Sequence, residues 1–406
     1  MMTTSNQRQY ATAWILLLAL FTALGPLSID MYLPALPLMA QSYEVSIQMM
    51  ANTLPAYFLG LAIGQLIYGP LSDRIGRKKP LYFGMALFTV ASLGCALAPN
   101  EWFLMIFRVL QALGGCVGVV MARAAIRDCL DVQGSAQAFS SMMMVMGLAP
   151  ILAPIIGAQI IVHWQWPAIF IALMLIGLFC FLSVHFWFKE TLASEHRLAL
   201  SVGQVFGLYF KILSDKSFRQ PMLAGSLTGG ALFAYISSAG AVMMGQFQIS
   251  EQNFAYLFAL NAFGIMLLSA LNKRLIPHTA IMTRLKLGAL VQLSGAVLVI
   301  LASFSAHALW WAMLGMFLAV AGIGLTGPNS MTLAMSKQGE RAGSASALMG
   351  SMQFACGLLG GLVLNFLAWS ALLNMGILLF FFTLLGSVVI WKMASELKKT
   401  TIKNLG

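Results

Sequence analysis

Along the chain, long apolar runs of some twenty residues or more are separated by short polar breaks. A helix that crosses a bilayer needs about 20 largely apolar residues. On that criterion spans are predicted near 12–36, 47–70, 81–98, 101–123, 135–162 and 166–188. A second set follows near 221–244, 252–271, 285–304, 308–328, 342–369 and 371–391. Lipid offers the backbone no hydrogen-bond partners, so each run must be helical. The expected fold is therefore an all-α membrane protein with twelve transmembrane helices in two six-helix, pseudo-symmetric bundles. The bundles are placed at residues 1–188 and 221–406, the second ending in a short basic tail, with a cytoplasmic linker at 189–220.

The two halves are similar in sequence. Gly134-Ser-Ala-Gln-Ala-Phe opens the fifth span and Gly343-Ser-Ala-Ser-Ala-Leu opens the eleventh. Two such repeats predict a rocker around a site between the halves. Inside the linker, Val205, Phe206, Tyr209, Phe210, Ile212 and Leu213 recur at helical spacing, which predicts a helix lying on the inner membrane surface.

Composition sharpens this picture. The chain has a mean hydropathy of +0.86 and 9% charged residues, where a soluble domain carries roughly 25%. The net charge of +11 is distributed along alternate loops. With the N-terminus inside, every one of the 23 basic residues except Arg108 falls on the cytoplasmic side, from Arg8 to Lys403. That is the positive-inside pattern of a multi-pass inner-membrane protein with both termini in the cytoplasm. It also argues against nucleic acid as a partner, since the cations are loop anchors rather than one patch. The five cysteines fall in or beside spans without paired spacing and read as small apolar fillers. No metal site is expected from them or from the five histidines, and no cofactor.

Two charges stand well inside predicted spans, Asp30 in the first and Arg108 in the fourth. A charge at a helix centre costs about 2.5–3.5 kcal/mol on insertion scales, so each needs a partner, water or a task. Both are expected in the outer part of the bilayer, facing one cavity. Burial and a nearby guanidinium pull a carboxyl group in opposite directions, and a group balanced between them can load and release a proton. Arg108 cannot cycle itself, and its expected role is to hold Asp30 or a substrate acceptor. The loop Gly69-Pro-Leu-Ser-Asp-Arg-Ile-Gly-Arg-Lys-Lys79 is the most specific string. Its glycines suit a tight turn, Asp73 suits a helix N-terminus, and Arg74 and Arg77 can reach acids on neighbouring helices. A plain membrane anchor is the competing reading.

The same loop resembles the loop 2–3 signature of the major facilitator superfamily, and other segments agree with it. Arg108-Val-Leu-Gln-Ala-Leu-Gly114 resembles the family's second motif, and Gly147-Leu-Ala-Pro-Ile-Leu-Ala-Pro-Ile-Ile-Gly157 its antiporter motif. Ile29-Asp-Met-Tyr-Leu-Pro-Ala-Leu-Pro37 and Arg123-Ala-Ala-Ile-Arg-Asp128 resemble the drug/proton antiporters of the Bcr/CflA type. The likeness is dense over 25–190. It thins in the second half, where Asn272-Lys-Arg-Leu-Ile-Pro-His lacks the core of the loop signature. The resemblance implies export of lipophilic drugs in exchange for protons by alternating access. It implies Asp30 as the protonation site, coupled through Arg108. It implies a cytoplasmic gate of Gly69, Asp73, Arg74, Gly76, Arg77, Arg127 and Asp128. Gly147, Pro150, Pro154 and Gly157 would shape the packing between spans.

For the substrate cavity the candidates are Tyr32, Asn52, Tyr57, Gln111 and Met146, the last in a methionine cluster with Met142, Met143 and Met144. Soft, adaptable side chains suit broad specificity. Expected partners are lipophilic drugs, protons and membrane lipids, with the chain acting as a monomer. A nutrient or metabolite symporter on the same fold is the nearest rival, and it would need more polar side chains in the spans. A membrane enzyme has no acid pair, metal spacing or paired nucleophile and base to rest on. The dipeptide Gly-Lys never occurs, which excludes a phosphate-cradling loop on this chain.

Overall fold

A computed structural model of the chain describes residues 12–197 and 202–403. Arg8, counted above among the inner cations, lies outside the described residues. Among the described residues, twelve helices are long and apolar enough to cross a membrane. Spans one to six are Ala13–Ser42, Ile47–Ile75, Lys78–Ala96, Glu101–Cys129, Ser141–His163 and Pro167–Phe186. Spans seven to twelve are Lys216–Gln246, Glu251–Leu275, Ile281–Ala302, Ala308–Met335, Ala342–Leu364 and Ala371–Leu397. No strand occurs among the described residues.

Several helix starts are fixed by side chains that accept the first free backbone N–H groups. Asn100 accepts from Trp102 and Phe103 before span four, and Asp131 accepts from Gly134 before the helix that carries span five. Asp215 accepts from Ser217 before span seven, and Ser250 from Asn253 before span eight. The structure departs from the predicted boundaries in one informative way. Spans two and four continue as helix to Ile75 and Cys129, some five residues past the apolar runs. Polar residues such as Asp73, Arg74, Arg127 and Asp128 therefore sit on helix ends rather than in loops, a conformation arginine tolerates well.

Span one breaks in its middle. The first helix ends at Asp30, a single 3-10 turn covers Leu33–Ala35, and Leu36–Ser42 completes the crossing. Pro34 and Pro37 cause the break, because proline removes a backbone donor and crowds the preceding turn. Asp30 thus lies 12 residues before the end of the span, about 18 Å at 1.5 Å per residue.

The chain divides into two compact units, Met1–Tyr43 with Ala56–Val205, and Glu44–Pro55 with Phe206–Gly406. In the first unit, span three packs on four and six, and span one packs on four and five. In the second, span nine packs on ten and twelve, and span seven packs on ten, eleven and twelve. The packing order repeats, as the paired glycine-serine-alanine openings of spans five and eleven suggest. Helix 202–214 keeps Tyr209 and Ile212 buried and leaves Phe206 and Phe210 exposed, the two faces expected of an amphipathic helix.

Candidate functional site

Two clusters in the first unit gather most of the residues singled out by sequence. The first surrounds Arg77, in the short connection between spans two and three. Gly76 just before it has a φ of +93°, a left-handed conformation that glycine adopts freely. A methyl group there would stand 2.3 Å from a carboxylate oxygen of Glu190. The turn therefore requires a glycine at 76. Gly69 needs none: it lies within the helix Thr53–Ile75 with open space beside it, so its expected turn role is corrected.

The Gly76 turn swings Arg77 inward, where its side chain is almost fully buried. Its Nη1 donates to Asp73 Oδ1 and, at 2.7 Å, to Ser72 Oγ. Its Nε donates to Asp128 Oδ2 at 2.9 Å. Thr191 Oγ1 donates to the same Asp128 oxygen at 3.0 Å. Burial alone would weaken the hold of Arg77 on its proton, but Asp128 and Asp73 together outweigh it and raise the guanidinium above its usual range. Arg74 and Arg127 are both exposed; Arg127 donates to the carbonyl of Arg123 at 3.3 Å and lies near enough to Arg77, Asp128 and Asp73 to feel their charges.

Glu190 was not foreseen. Its Oε1 accepts from the backbone N–H groups of Arg77, Thr191 and Leu192 at 2.8, 3.0 and 3.1 Å, and Oε2 from that of Lys78 at 3.2 Å. Burial works to raise its carboxyl, but these four donors prevail and hold it below the usual carboxylate range. One signal was available. Span three begins Lys78-Lys79 with no acid of its own at a helix N-terminus, where the dipole favours negative charge. That start leaves room for an acid from elsewhere in the chain.

The second cluster lies between spans one, two, four and six. Arg108 has no exposed surface. Its Nη1 donates to the carbonyl of Ser28 at 2.9 Å and to Gln111 Oε1 at 2.7 Å. Gln111 in turn donates to Ser92 Oγ at 2.8 Å. The guanidinium carbon lies 4.4 Å from the ring centre of Tyr32, 4.2 Å from that of Tyr57 and 5.9 Å from that of Phe170. Asp30 is 3% exposed, and its Oδ1 has no hydrogen-bond partner among the described residues. Arg108 thus reaches the backbone two residues before Asp30 without pairing with its carboxylate, and the expected direct hold is not present.

The antiporter-like segment packs against this site. A methyl group on Gly157 would come 1.7 Å from the carbonyl oxygen of Met31, so span five touches the backbone of span one next to Asp30. Pro150 and Pro154 lie inside the same helix, Gly147 and Met146 are half-buried, and Met143 and Met144 are exposed. Of the residues assigned to a cavity, Tyr32, Tyr57 and Gln111 are buried around Arg108. Asn52 is elsewhere, in the second unit, accepting from Asn365 at 2.8 Å.

Sequence reasoning also missed a cluster in the second unit. Arg284, read as a loop cation, is 6% exposed at the start of span nine. It donates to Asn329 Oδ1 at 3.2 Å and to the carbonyl of Thr279 at 3.1 Å, and Asn329 donates to Asn272 Oδ1 at 2.7 Å.

Twelve apolar helices in two units of repeated packing, with a broken first span beside a buried arginine, define a multi-pass membrane transporter. Residues 18–361 match the model of the Major Facilitator Superfamily, and the chain belongs to that family. An MFS-type transporter of Bacillus subtilis, YdgK, is 35% identical over 94% of this chain and 95% of the relative. A bicyclomycin resistance protein homolog of Haemophilus influenzae is 29% identical over 88% and 90%. In fold the chain is similar to the crystal structure of a D-xylose-proton symporter, with a TM-score of 0.74 and 14% identity over 95% of this chain and 97% of that one.

Proposed function

We propose that the protein exports lipophilic drugs across the inner membrane in exchange for protons, by alternating access, with Asp30 as the proton-exchanging group. The observation that carries the reading is the buried Asp30 carboxyl, with an unpartnered oxygen at the break in span one. A lone ionised acid inside a membrane bundle is costly, so its charge state is a natural variable to couple to a second ligand. The relation to a protein named for bicyclomycin resistance favours a drug as that second ligand. The basic loops favour cytoplasmic positions for both termini, and the Arg77 cluster then faces the cytoplasm as a latch.

Drug enters from the cytoplasm or the inner leaflet while Asp30 is ionised, and protonation from outside favours its release. Proton and drug need not touch, since each has only to lower the affinity of the other, a coupling of typically 1–3 kcal/mol. The test is a drug-susceptibility panel in a pump-deficient host, with transport in energised inverted vesicles, comparing the intact protein with Asp30→Asn. Loss of proton-driven accumulation in the variant is expected, and retained activity would reject the assignment. Accumulation against the exporting direction would instead identify a symporter.

A further inference from the structure

The corner where span three begins and span six ends gathers cations that no acid answers. Lys78 opens span three, and its Nζ donates to the carbonyl of His185, in the last turn of span six, at 3.4 Å. Tyr82, one turn on from Lys78, packs its ring 4.3 Å from that of Phe181 and brings its hydroxyl to 3.5 Å from His185 Nδ1. Lys79 adjoins Lys78, Lys189 follows soon after His185, and both are exposed. Among the described residues none of these three lysines forms an ion pair. Glu190, the acid in the same stretch, is taken up by backbone N–H groups instead. Two apolar stripes lead to the lysines. On span three Leu97, Val90 and Phe83 are exposed at helical spacing, and Lys79 continues that stripe one turn beyond Phe83. On span six Leu175, Phe179, Leu182 and Phe186 are exposed at the same spacing, with Trp187 and Lys189 next. The two spans pack on each other, and packed helices lie about 8–10 Å apart, so the stripes border one shallow groove.

We propose that this corner binds an anionic phospholipid, its phosphate diester among Lys78, Lys79 and Lys189 and its acyl chains along the groove between spans three and six. Charge complementarity selects the occupant: unpaired amines at a membrane boundary attract anionic headgroups, and basic pockets between membrane helices hold them. Trp187 and Tyr82 suit the headgroup level, where amphipathic rings settle. The lysine stems can lie along the apolar stripes while their amines reach the phosphate. A soluble anion would gain nothing from the exposed Phe83 and Phe186, whereas a lipid uses both halves of the surface. The connection between spans eight and nine shows what is special here. It occupies the matching place in the second unit and carries Lys273, Arg274 and Lys286, but no aromatic residue lies between Met266 and Leu290. It has the charge without the frame. The inference does not depend on which substrate or ion the transporter carries.

Purified full-length protein in an uncharged detergent provides the test. It is titrated with dioleoyl phosphatidylglycerol or dioleoyl phosphatidylcholine, and the first bound lipid is followed by native mass spectrometry. The anionic lipid is expected to bind at least tenfold more tightly than the zwitterionic one. Each lysine near such a headgroup is worth roughly fivefold in affinity. The combined Lys78→Gln, Lys79→Gln and Lys189→Gln variant is therefore expected to lose at least tenfold for phosphatidylglycerol and less than twofold for phosphatidylcholine. Trp187→Leu is expected to lose about twofold to threefold for both lipids, since the ring serves the interface rather than the charge. The combined Lys273→Gln, Arg274→Gln and Lys286→Gln variant should stay within twofold of the starting protein. An equal loss in that variant would reduce the effect to general attraction by basic loops and overturn the site. Equal affinity for the two lipids would overturn it too, as would displacement of phosphatidylglycerol by excess inorganic phosphate, which would mark a small-anion site. Should the first combined variant fail to fold, Lys79→Gln alone, an exposed side chain, is expected to lose about fivefold, and an unchanged affinity there would also refute the proposal.

Discussion

The arginine clusters of the two units, around Arg77 and Arg284, are built alike and charged differently. In each, an arginine at the start of the third helix of its unit is buried. In the first unit Asp73 from the helix before it and Asp128 from the helix after it both accept from the arginine directly, whereas in the second Asn329 from the helix after accepts directly and Asn272 from the helix before is reached only through Asn329. The positions repeat, but the carboxylates of the first unit are amides in the second. Arg284 must therefore be stabilised by neutral oxygens, which accept hydrogen bonds roughly half as strong as those of carboxylates. Only the first cluster also carries a glycine turn at positive φ and an acid, Glu190, on the following helix N-terminus. The lesson is that packing geometry is kept by the shape of the repeat, whereas the strength of a cluster is set by which residues carry charge.

The largest effect is expected on removing the anion that the first cluster depends on. Asp128→Ala leaves a buried guanidinium short of its partner and should cost about 3 kcal/mol, as in other broken buried pairs. Asp128→Asn, which gives the first cluster the amide that the second has at the matching position, should cost less than half of that. Unfolding midpoints in detergent check both, and equal losses would erase the distinction between the clusters. Next is Gly76→Ala, expected to cost about 2 kcal/mol from left-handed strain, with the added methyl group displacing Glu190.

Glu190→Gln is smaller, about 1 kcal/mol, because the carboxylate is partly solvated and the three donors on Oε1 can still find an amide oxygen. Its pH signature is distinctive. A carboxyl lowered in the folded state contributes stability above its ordinary value of 4.5, and this is lost as pH falls through the lowered folded value. The variant should therefore lose less stability than the starting protein between about pH 5 and 3, as read from acid unfolding. The smallest effect is expected for Asn272→Asp, which keeps the acceptor for Asn329 and adds an anion one residue away from Arg284. A gain of about 0.5 kcal/mol at neutral pH is predicted from melting curves, and a loss would show that the second cluster is tuned for neutrality.

Much of this was legible in the sequence because lipid imposes a strict rule. Apolar runs long enough to cross must be helices, so the number and order of spans follow from hydropathy alone. Asp30 and Arg108 were singled out by the same rule, since charges inside such runs are rare. Gly76, Arg77 and Asp128 were found through their motif. Glu190 and Arg284 were not, for opposite reasons. Glu190 sits in a linker that hydropathy treats as filler, whereas Arg284 is indistinguishable by pattern from the other loop cations.

What the sequence determined by itself is the solvent of the protein, the twelve crossings, the repeat, and which few residues carry charge where charge is expensive. What only the tertiary structure decided is who meets whom. Arg77 and Glu190 are 113 positions apart, and Arg108 and Ser28 are 80. Such meetings depend on how each helix is rotated about its axis and how deeply small residues such as Gly157 let backbones approach. Hydropathy is blind to that rotation, and for that reason it could not show that Tyr32 and Tyr57 stand beside Arg108.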